Sequence, residues 1–297
     1  MSIEIFLVHF VLGLSLGMVL FLVASGLSLI FGCMRLINFA HGLFYMLGAY
    51  LTVTVVSFLG GSITSFWWAL LLAPIVAGIF GGICEISLIR RVYGQPLMAQ
   101  VMITYGIVLI FTEVVRAIWG VQYKLVHMPE LLSSSVPLGI IDLPLYYLFL
   151  VGFGGLVGVG LWFILERTQL GTMVRAIIAD REMASILGIK VSLVFTSMFI
   201  LGTWLAAIGG VLLAPMSGIT PDMYMGMLIN SFIIVIIGGL GSLRGSLVGA
   251  LILGITMSMG VLIMPRFYVL IPSVLMIIVI LARPQGLFGG GILAGEL

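Results

Sequence analysis

Long runs without a single charged side chain limit what this chain can fold into more than any other feature. No Asp, Glu, Lys or Arg occurs between Arg35 and Glu85, between Lys190 and Asp222, or between Arg244 and Arg266. About 20 apolar residues cross the hydrocarbon core of a membrane as a helix. In that solvent the helix is favoured because each backbone N–H and C=O must find its partner internally. Only 7% of the 297 residues are charged and 62% are hydrophobic, whereas a soluble domain carries about 25% charged residues. The chain therefore reads as an all-α polytopic membrane protein, a single transmembrane domain over residues 1–297.

Apolar runs place the spans at 5–31, 41–59, 66–89, 98–118, 143–165, 191–214, 223–240, 245–264 and 267–282, which predicts about 8–10 transmembrane helices. The last is short and holds Pro272. The start, MSIEIFLVHF, has no basic region ahead of its apolar residues and no small-residue cleavage site, so it reads as the beginning of the first span. Cys33 and Cys84 lie in apolar surroundings and read as small packed residues, not as a disulfide or metal pair. A net charge of +2 without a basic cluster points to no nucleic-acid partner.

Lys and Arg concentrate in cytoplasmic loops of membrane proteins. With the N-terminus outside and the C-terminus inside, Arg35, Arg90, Arg91, Arg167, Arg175, Arg181, Lys190, Arg244 and Arg283 fall inside; Arg116, Lys124 and Arg266 fall outside. Trp67, Trp68, Trp119, Tyr123, Tyr146, Tyr147, Tyr224 and Tyr268 gather near the outer interface, where amphipathic rings are at home.

The one sizeable polar island, 166–190, reads ERTQLGTMVRAIIADREMASILGIK. Thr172 to Ala179 can form a short helix behind Gly171. Asp180 can cap a second helix by accepting from the free amides of its first turn, and Gly188 can close it. A charged, capped helix pair between spans is a docking surface on the cytoplasmic side.

Small residues recur at helix-packing spacing: Gly13 and Gly17, Gly78 and Gly82, Gly154 and Gly158, and the series Gly241, Gly245, Gly249. Tight packing within the chain is the plainer reading, a dimer face the alternative. Two stretches, SLIFGCMRLINFAHGLFYMLGAYL and IVIIGGLGSLRGSLVGALILGI, echo each other in ending a span in Gly, passing an Arg and opening a new span. Each is a candidate interrupted or re-entrant segment, the kind of place where transporters put substrate paths. The candidates for a translocation path are accordingly Asn38, His41, Gly42 and Tyr45 at the first break and Gly238, Gly239 and Gly241 at the second. A plainer role is open for two of them: Asn38 capping a helix start and His41 bonding a backbone carbonyl.

No HExxH, CxxC or pair of carboxylates within one span suggests an enzyme. An ion-coupled carrier usually holds its ion on an ionisable residue at mid-membrane. Glu85 and Glu113 are the only acids within the spans, each close to an arginine, Arg90 or Arg116, and read as interfacial ion pairs of little individual worth. No GxxxxGK[ST] is present, so the chain cannot hold ATP on a P-loop of its own. A pore-forming subunit driven by a separate motor fits these absences; a stand-alone facilitator is the alternative.

The motifs GLSLIFG…RLINFAHG, LGTMVRAIIADREMASILGI, GGLGSLRGSLVGALILG and ILARPQGLFG, in that order from about residue 12 to 288, resemble the permease subunits of branched-chain amino acid ABC importers, urea permeases included. The resemblance implies that EMASILG is the coupling helix, with Glu182, Ala184 and Gly188 in its key places. Arg175, Asp180, Arg181, Met183 and Leu187 complete the coupling set: Met183 and Leu187 as an apolar grip, the charged residues to fix register, Ala184 and Gly188 to keep the helix slim. It further implies two cytoplasmic ABC ATPase subunits that bind the ATP, a second similar permease, a periplasmic substrate-binding protein and a place in the bacterial inner membrane. The cargo would be a branched-chain or related apolar amino acid, with urea, amides or aromatic acids as alternatives. The chain itself would need no cofactor, would bind no metal and would break no bond. Leu43, where such permeases often carry an acid, and Arg244, where they commonly carry proline, depart from the pattern and bear on the cargo.

Overall fold

The computed structural model describes residues 3–137 and 142–289. Helix α1 (Ile3–Met34) and α2 (His41–Phe58) come first, then α3 (Ser65–Ser87), a 3-10 turn at Ile89–Val92 and α4 (Leu97–Trp119). Two short strands, β1 (Ser135–Pro137) and β2 (Asp142–Pro144), pair antiparallel; this strand pair in the expected polar loop has no counterpart in the sequence reading. Helix α5 (Leu145–Arg167), α6 (Gln169–Ala179), α7 (Arg181–Ile186) and α8 (Val191–Leu213) follow, and then α9 (Met223–Gly238), α10 (Leu243–Ile263) and α11 (Ile271–Ala282).

Seven of these helices are long and apolar enough to cross a membrane. With the shorter apolar α9 and α11 they coincide with the nine expected apolar runs, two of which fall below spanning length. Helix α1 runs 32 residues, longer than expected, which is about 48 Å and well beyond a hydrocarbon core of about 30 Å. Helix α11 has only 12 residues after Pro272 sets its first turn, about 18 Å and too short to cross alone.

The centre of the fold is a crossing of α1, α2, α8 and α10. In a lipid solvent there is no hydrophobic drive between helices, so close approach depends on small residues. A Cβ at Gly254 of α10 would collide with the backbone of Gly13 and Gly17 on α1, and one at Gly48 of α2 would strike Ala207 of α8. Gly78 and Gly82 face Ile200 of α8, and Gly154 and Gly158 of α5 face Met18 and Phe21. The expected glycine pairs thus serve packing inside the chain. Gly254→Leu is expected to force α1 and α10 apart and to abolish the monodisperse peak in detergent size-exclusion chromatography; an unchanged peak would show that this crossing is dispensable.

The first expected break is re-entrant. His41, the first residue of α2, places Nε2 2.8 Å from the carbonyl of Val23, eleven residues before the end of α1. Residues 35–40 therefore climb back alongside α1 for about 16 Å. Their irregular backbone is enclosed in protein, with Leu36, Asn38 and Ala40 buried, as non-helical chain at membrane depth requires. Arg35 takes a left-handed φ of 51° where the chain reverses. The second break is a tight helical hairpin: Gly238 and Gly245 touch backbone to backbone, and Gly241 lies against Gly32 of α1. The second break therefore meets the end of α1. The terminal carbonyls of α9 are satisfied by the returning chain, since Leu287 N donates to Ile237 O at 2.8 Å and Phe288 N to Gly238 O at 3.1 Å. Gly239 at φ 98° and Gly286 at φ 80° allow that approach; a helix end buried without such partners would be costly. This is the structural use of the ARPQGLF ending.

Candidate coupling surface and translocation elements

The polar island folds as two short helices set at an angle. Thr168 caps α6, its Oγ1 accepting from Gly171 N, so the helix begins three residues before the Thr172 start read from the sequence. Asp180 ends α6 and caps α7, its Oδ1 accepting from Met183 N at 2.9 Å. Gly188 closes α7 at φ 86°, with Ile189 N returning to Ala184 O at 3.0 Å, the hydrogen bond of a glycine C-terminal cap. Both caps fall where the sequence placed them. Asp180→Ala is expected to cost about 1 kcal/mol of α7 stability and Asp180→Asn close to nothing, a difference that hydrogen exchange of residues 181–187 would register.

The faces of α7 divide differently from the sequence reading. Met183, Ile186 and Leu187 share one side, at i, i+3 and i+4, and are 51, 77 and 74% exposed. Ala184 lies about 100° around the helix from Met183 and is buried against Val174, Ile177, Val194, Phe195 and Met198 of the chain's own helices. It thus seats α7 on the body, while the outward apolar side is Met183, Ile186 and Leu187. Ile186 was missed; its spacing from Met183 is the signal that could have found it. Arg175, partly exposed, donates to the carbonyl of Leu165 with Glu166 3.7 Å away. The Arg181 guanidinium stacks over Phe195, 5.1 Å from the ring centroid, and Glu182 is exposed.

Behind that stack lies a buried polar cluster. Phe195 meets the Tyr93 ring edge-on at 5.4 Å, and the Tyr93 hydroxyl donates to Glu85 Oε1 at 2.7 Å. Arg90 donates to both Glu85 oxygens, at 3.1 and 2.9 Å, and Thr196 Oγ1 donates to Oε2 at 2.7 Å. Burial first, and then the Glu85 bond, push the Tyr93 phenol well above its ordinary range, so it stays a neutral donor. Glu85 is 0% exposed. The expectation of a weak interfacial pair with Arg90 is therefore half right: the partner is Arg90, but the carboxylate is enclosed and fully bonded. The cluster ties α3 to α8 directly beside the seat of α7.

The translocation candidates sit at closed contacts within the chain. Asn38 Oδ1 accepts from Ala40 N at 3.0 Å and turns the chain into α2; His41 bonds Val23 O. Gly42 lies against Tyr224 and Leu228 of α9, and Tyr45 against Gly209 and Gly210 of α8. Gly238 and Gly239 pack against Gly245 and the returning chain at Gly286, and Gly241 against Gly32. Of the plainer roles, His41 bonding a backbone carbonyl is present, whereas α2 has Ala40 at its N-cap without a side-chain cap bond, and Asn38 makes a turn just ahead of it. Yet Asn38 Nδ2 and His41 Nδ1 are buried without a partner, which leaves unmet hydrogen-bonding capacity at membrane depth.

Several of the cationic residues expected on one side lie close to one another. Cys33, Tyr93, Val174 and Val194 belong to one apolar cluster, and Gly241 to Arg244 line a cavity with Glu166 and Arg175. At the opposite end Arg116 pairs with Asp222 at 2.8 Å, Lys124 bridges to Ile219, and Trp119 bonds Thr54.

A family model described as "Branched-chain amino acid transport system / permease component" matches residues 10–280. The chain belongs to this permease family. The permease is 30% identical over 298 residues to the high-affinity branched-chain amino acid transport system permease protein BraD of Pseudomonas aeruginosa, covering 96% of each chain. It is 28% identical to LivH, of the same description, from Escherichia coli K12, covering 93% of each. A probable branched-chain amino acid transport permease, LivH of Methanocaldococcus jannaschii, is 26% identical over 91% of this chain and 88% of its own. No solved structure matches the permease.

Proposed function

We propose that the permease is one membrane subunit of an ATP-driven importer for branched-chain or related apolar amino acids in a bacterial inner membrane. Two cytoplasmic ATPases bind and hydrolyse the ATP; a second permease completes the path, and a periplasmic binding protein delivers the solute. The N-terminus is periplasmic and the polar island cytoplasmic. The observation that carries this reading is the outward apolar side of α7, Met183, Ile186 and Leu187, presented by a helix capped at both ends. An exposed apolar patch rimmed by charge marks a protein contact. The seat of α7 on Val194, Phe195 and Met198 of α8 gives motion of a docked ATPase a route into the membrane helices. The unpartnered Asn38 and His41 nitrogens beside the re-entrant break fit a path that opens when α8 and α9 part from α2.

The test is reconstitution of the permease with ATPases, a second permease and a binding protein from the same organism, followed by uptake of radiolabelled L-leucine into proteoliposomes. Uptake is expected to require enclosed ATP and the binding protein, and excess L-isoleucine or L-valine to suppress it. Equal uptake without ATP would assign a facilitator instead. Uptake of urea or aromatic acids in place of leucine would overturn the cargo.

A further inference from the structure

A cavity of about 310 Å³ opens between α1, α5, α6 and the turn joining α9 to α10, within the size range of small-molecule sites. Its polar lining comes from four elements: Ser28 of α1, Glu166 of α5, Arg175 of α6, and Ser242 with Arg244 at the start of α10. Leu29, Leu165, Val174 and Ile178 supply apolar wall.

Three features point to a ligand. Ser28 is 98% buried, being 2% exposed, yet its Oγ has no hydrogen-bond partner; such a hydroxyl in apolar surroundings costs free energy unless something meets it. The 21-residue α10 points its N-terminus at the same space. Ser242 Oγ caps Gly245 N at 3.0 Å, leaving the amides of Leu243 and Arg244, which have no acceptor within the helix. Arg244 adds a guanidinium in that first turn, where the helix dipole disfavours a cation and favours an anion. Among the described residues Arg244 makes no ion pair. Glu166 lies across the same cavity, half exposed, with only a 3.7 Å contact to Arg175.

We propose that this cavity binds a zwitterionic α-amino acid with an apolar side chain. Its carboxylate sits at the α10 N-terminus with Arg244 and Ser28, its ammonium faces Glu166, and its side chain lies on the wall formed by Leu29 and Val174. Arg175 meets Glu166 only at 3.7 Å and also bonds the Leu165 carbonyl, so a simple anion would use the first group and still have the Glu166 carboxylate across from it; a zwitterion uses both charges and the apolar surface. The proposal rests on the importer reading for its cargo class, and adds a site on the permease itself at the end that carries the coupling helices.

The experiment uses the full transporter complex in lipid nanodiscs, without ATP and without the binding protein, and measures equilibrium binding of tritiated L-leucine. Saturable binding is expected, displaced by L-isoleucine but not by L-leucinamide or inorganic phosphate. R244Q, an exposed position that does not threaten folding, is expected to weaken it about tenfold or more, and S28A about fivefold. A complex that imports leucine yet shows no such binding would overturn the site and leave the importer reading intact. Binding untouched by R244Q and S28A, or displaced by phosphate or by anionic phospholipid, would overturn it too. A complex that imports no apolar amino acid would instead defeat the reading beneath it.

Discussion

Permease carrying Leu187→Asp should fold and reach the membrane normally, yet fail to retain ATPase on affinity purification and lose at least tenfold of its uptake. Leu187 is 74% exposed, so a carboxylate there stays in water and leaves the fold undisturbed. Against a docked partner the same carboxylate would be buried without a counter-charge. Truncating a buried anchor at an interface typically costs about 2–4 kcal/mol, and an unpaired buried charge adds to that. Ile186→Asp should behave alike, whereas Glu182→Gln, at the rim, should change little. Ala184→Arg would also end uptake, for a different reason: Ala184 is buried in a cluster with residues of α6 and α8, so a large side chain unseats α7, and melting temperature would fall with activity. Loss of uptake without loss of stability in L187D, and loss of both in A184R, separates docking from seating. If L187D kept full ATPase retention and uptake, the outward side of α7 would not be the contact.

Glu85→Ala is expected to be the most damaging single change to stability outside the glycine crossings. It strips Arg90, Tyr93 and Thr196 of a shared acceptor inside the protein. Breaking one partner of a buried pair costs about 3–5 kcal/mol, less here because Arg90 is partly exposed and regains water. Glu85→Gln keeps one carbonyl acceptor and should fall between. The paired change Glu85→Leu with Arg90→Met removes both charges and should restore part of the loss, since replacing both partners by apolar groups is far milder than orphaning one. Melting temperature in detergent, followed by intrinsic fluorescence, gives the order wild type, double variant, Glu85→Ala. A Glu85→Ala protein melting with wild type would mean that the cluster contributes nothing to holding α3 on α8.

What could be read from the chain alone was local. Asp180 and Gly188 declare their caps because each acts on backbone within one turn of itself. The re-entrant break announces itself in RLINFAH, polar residues where an apolar run would otherwise continue. The spans follow from charge-free length, which does not fix the ends of α1 or the shortness of α11. The orientation of α7 was harder: Met183, Ile186 and Leu187 share a helical side by simple geometry, but that Ala184 seats on Phe195 follows from tertiary packing. Glu85 shows the limit most plainly. Its pairing with nearby Arg90 was legible, whereas the Thr196 bond spans 111 positions, and burial at that depth is decided by α8. The cavity with Ser28 and Arg244 is likewise assembled from three separated stretches, none of which marks it alone.

The central claim is that the outward side of α7 meets a cytoplasmic ATPase. The most direct test places Leu187→Cys in a background where the buried Cys33 and Cys84 are replaced by alanine, and labels it with a membrane-impermeant maleimide. Labelling is expected in inside-out vesicles, absent in right-side-out vesicles, and blocked when the ATPase subunits are bound. Labelling from the periplasmic side, or labelling that bound ATPase leaves unchanged, would contradict it.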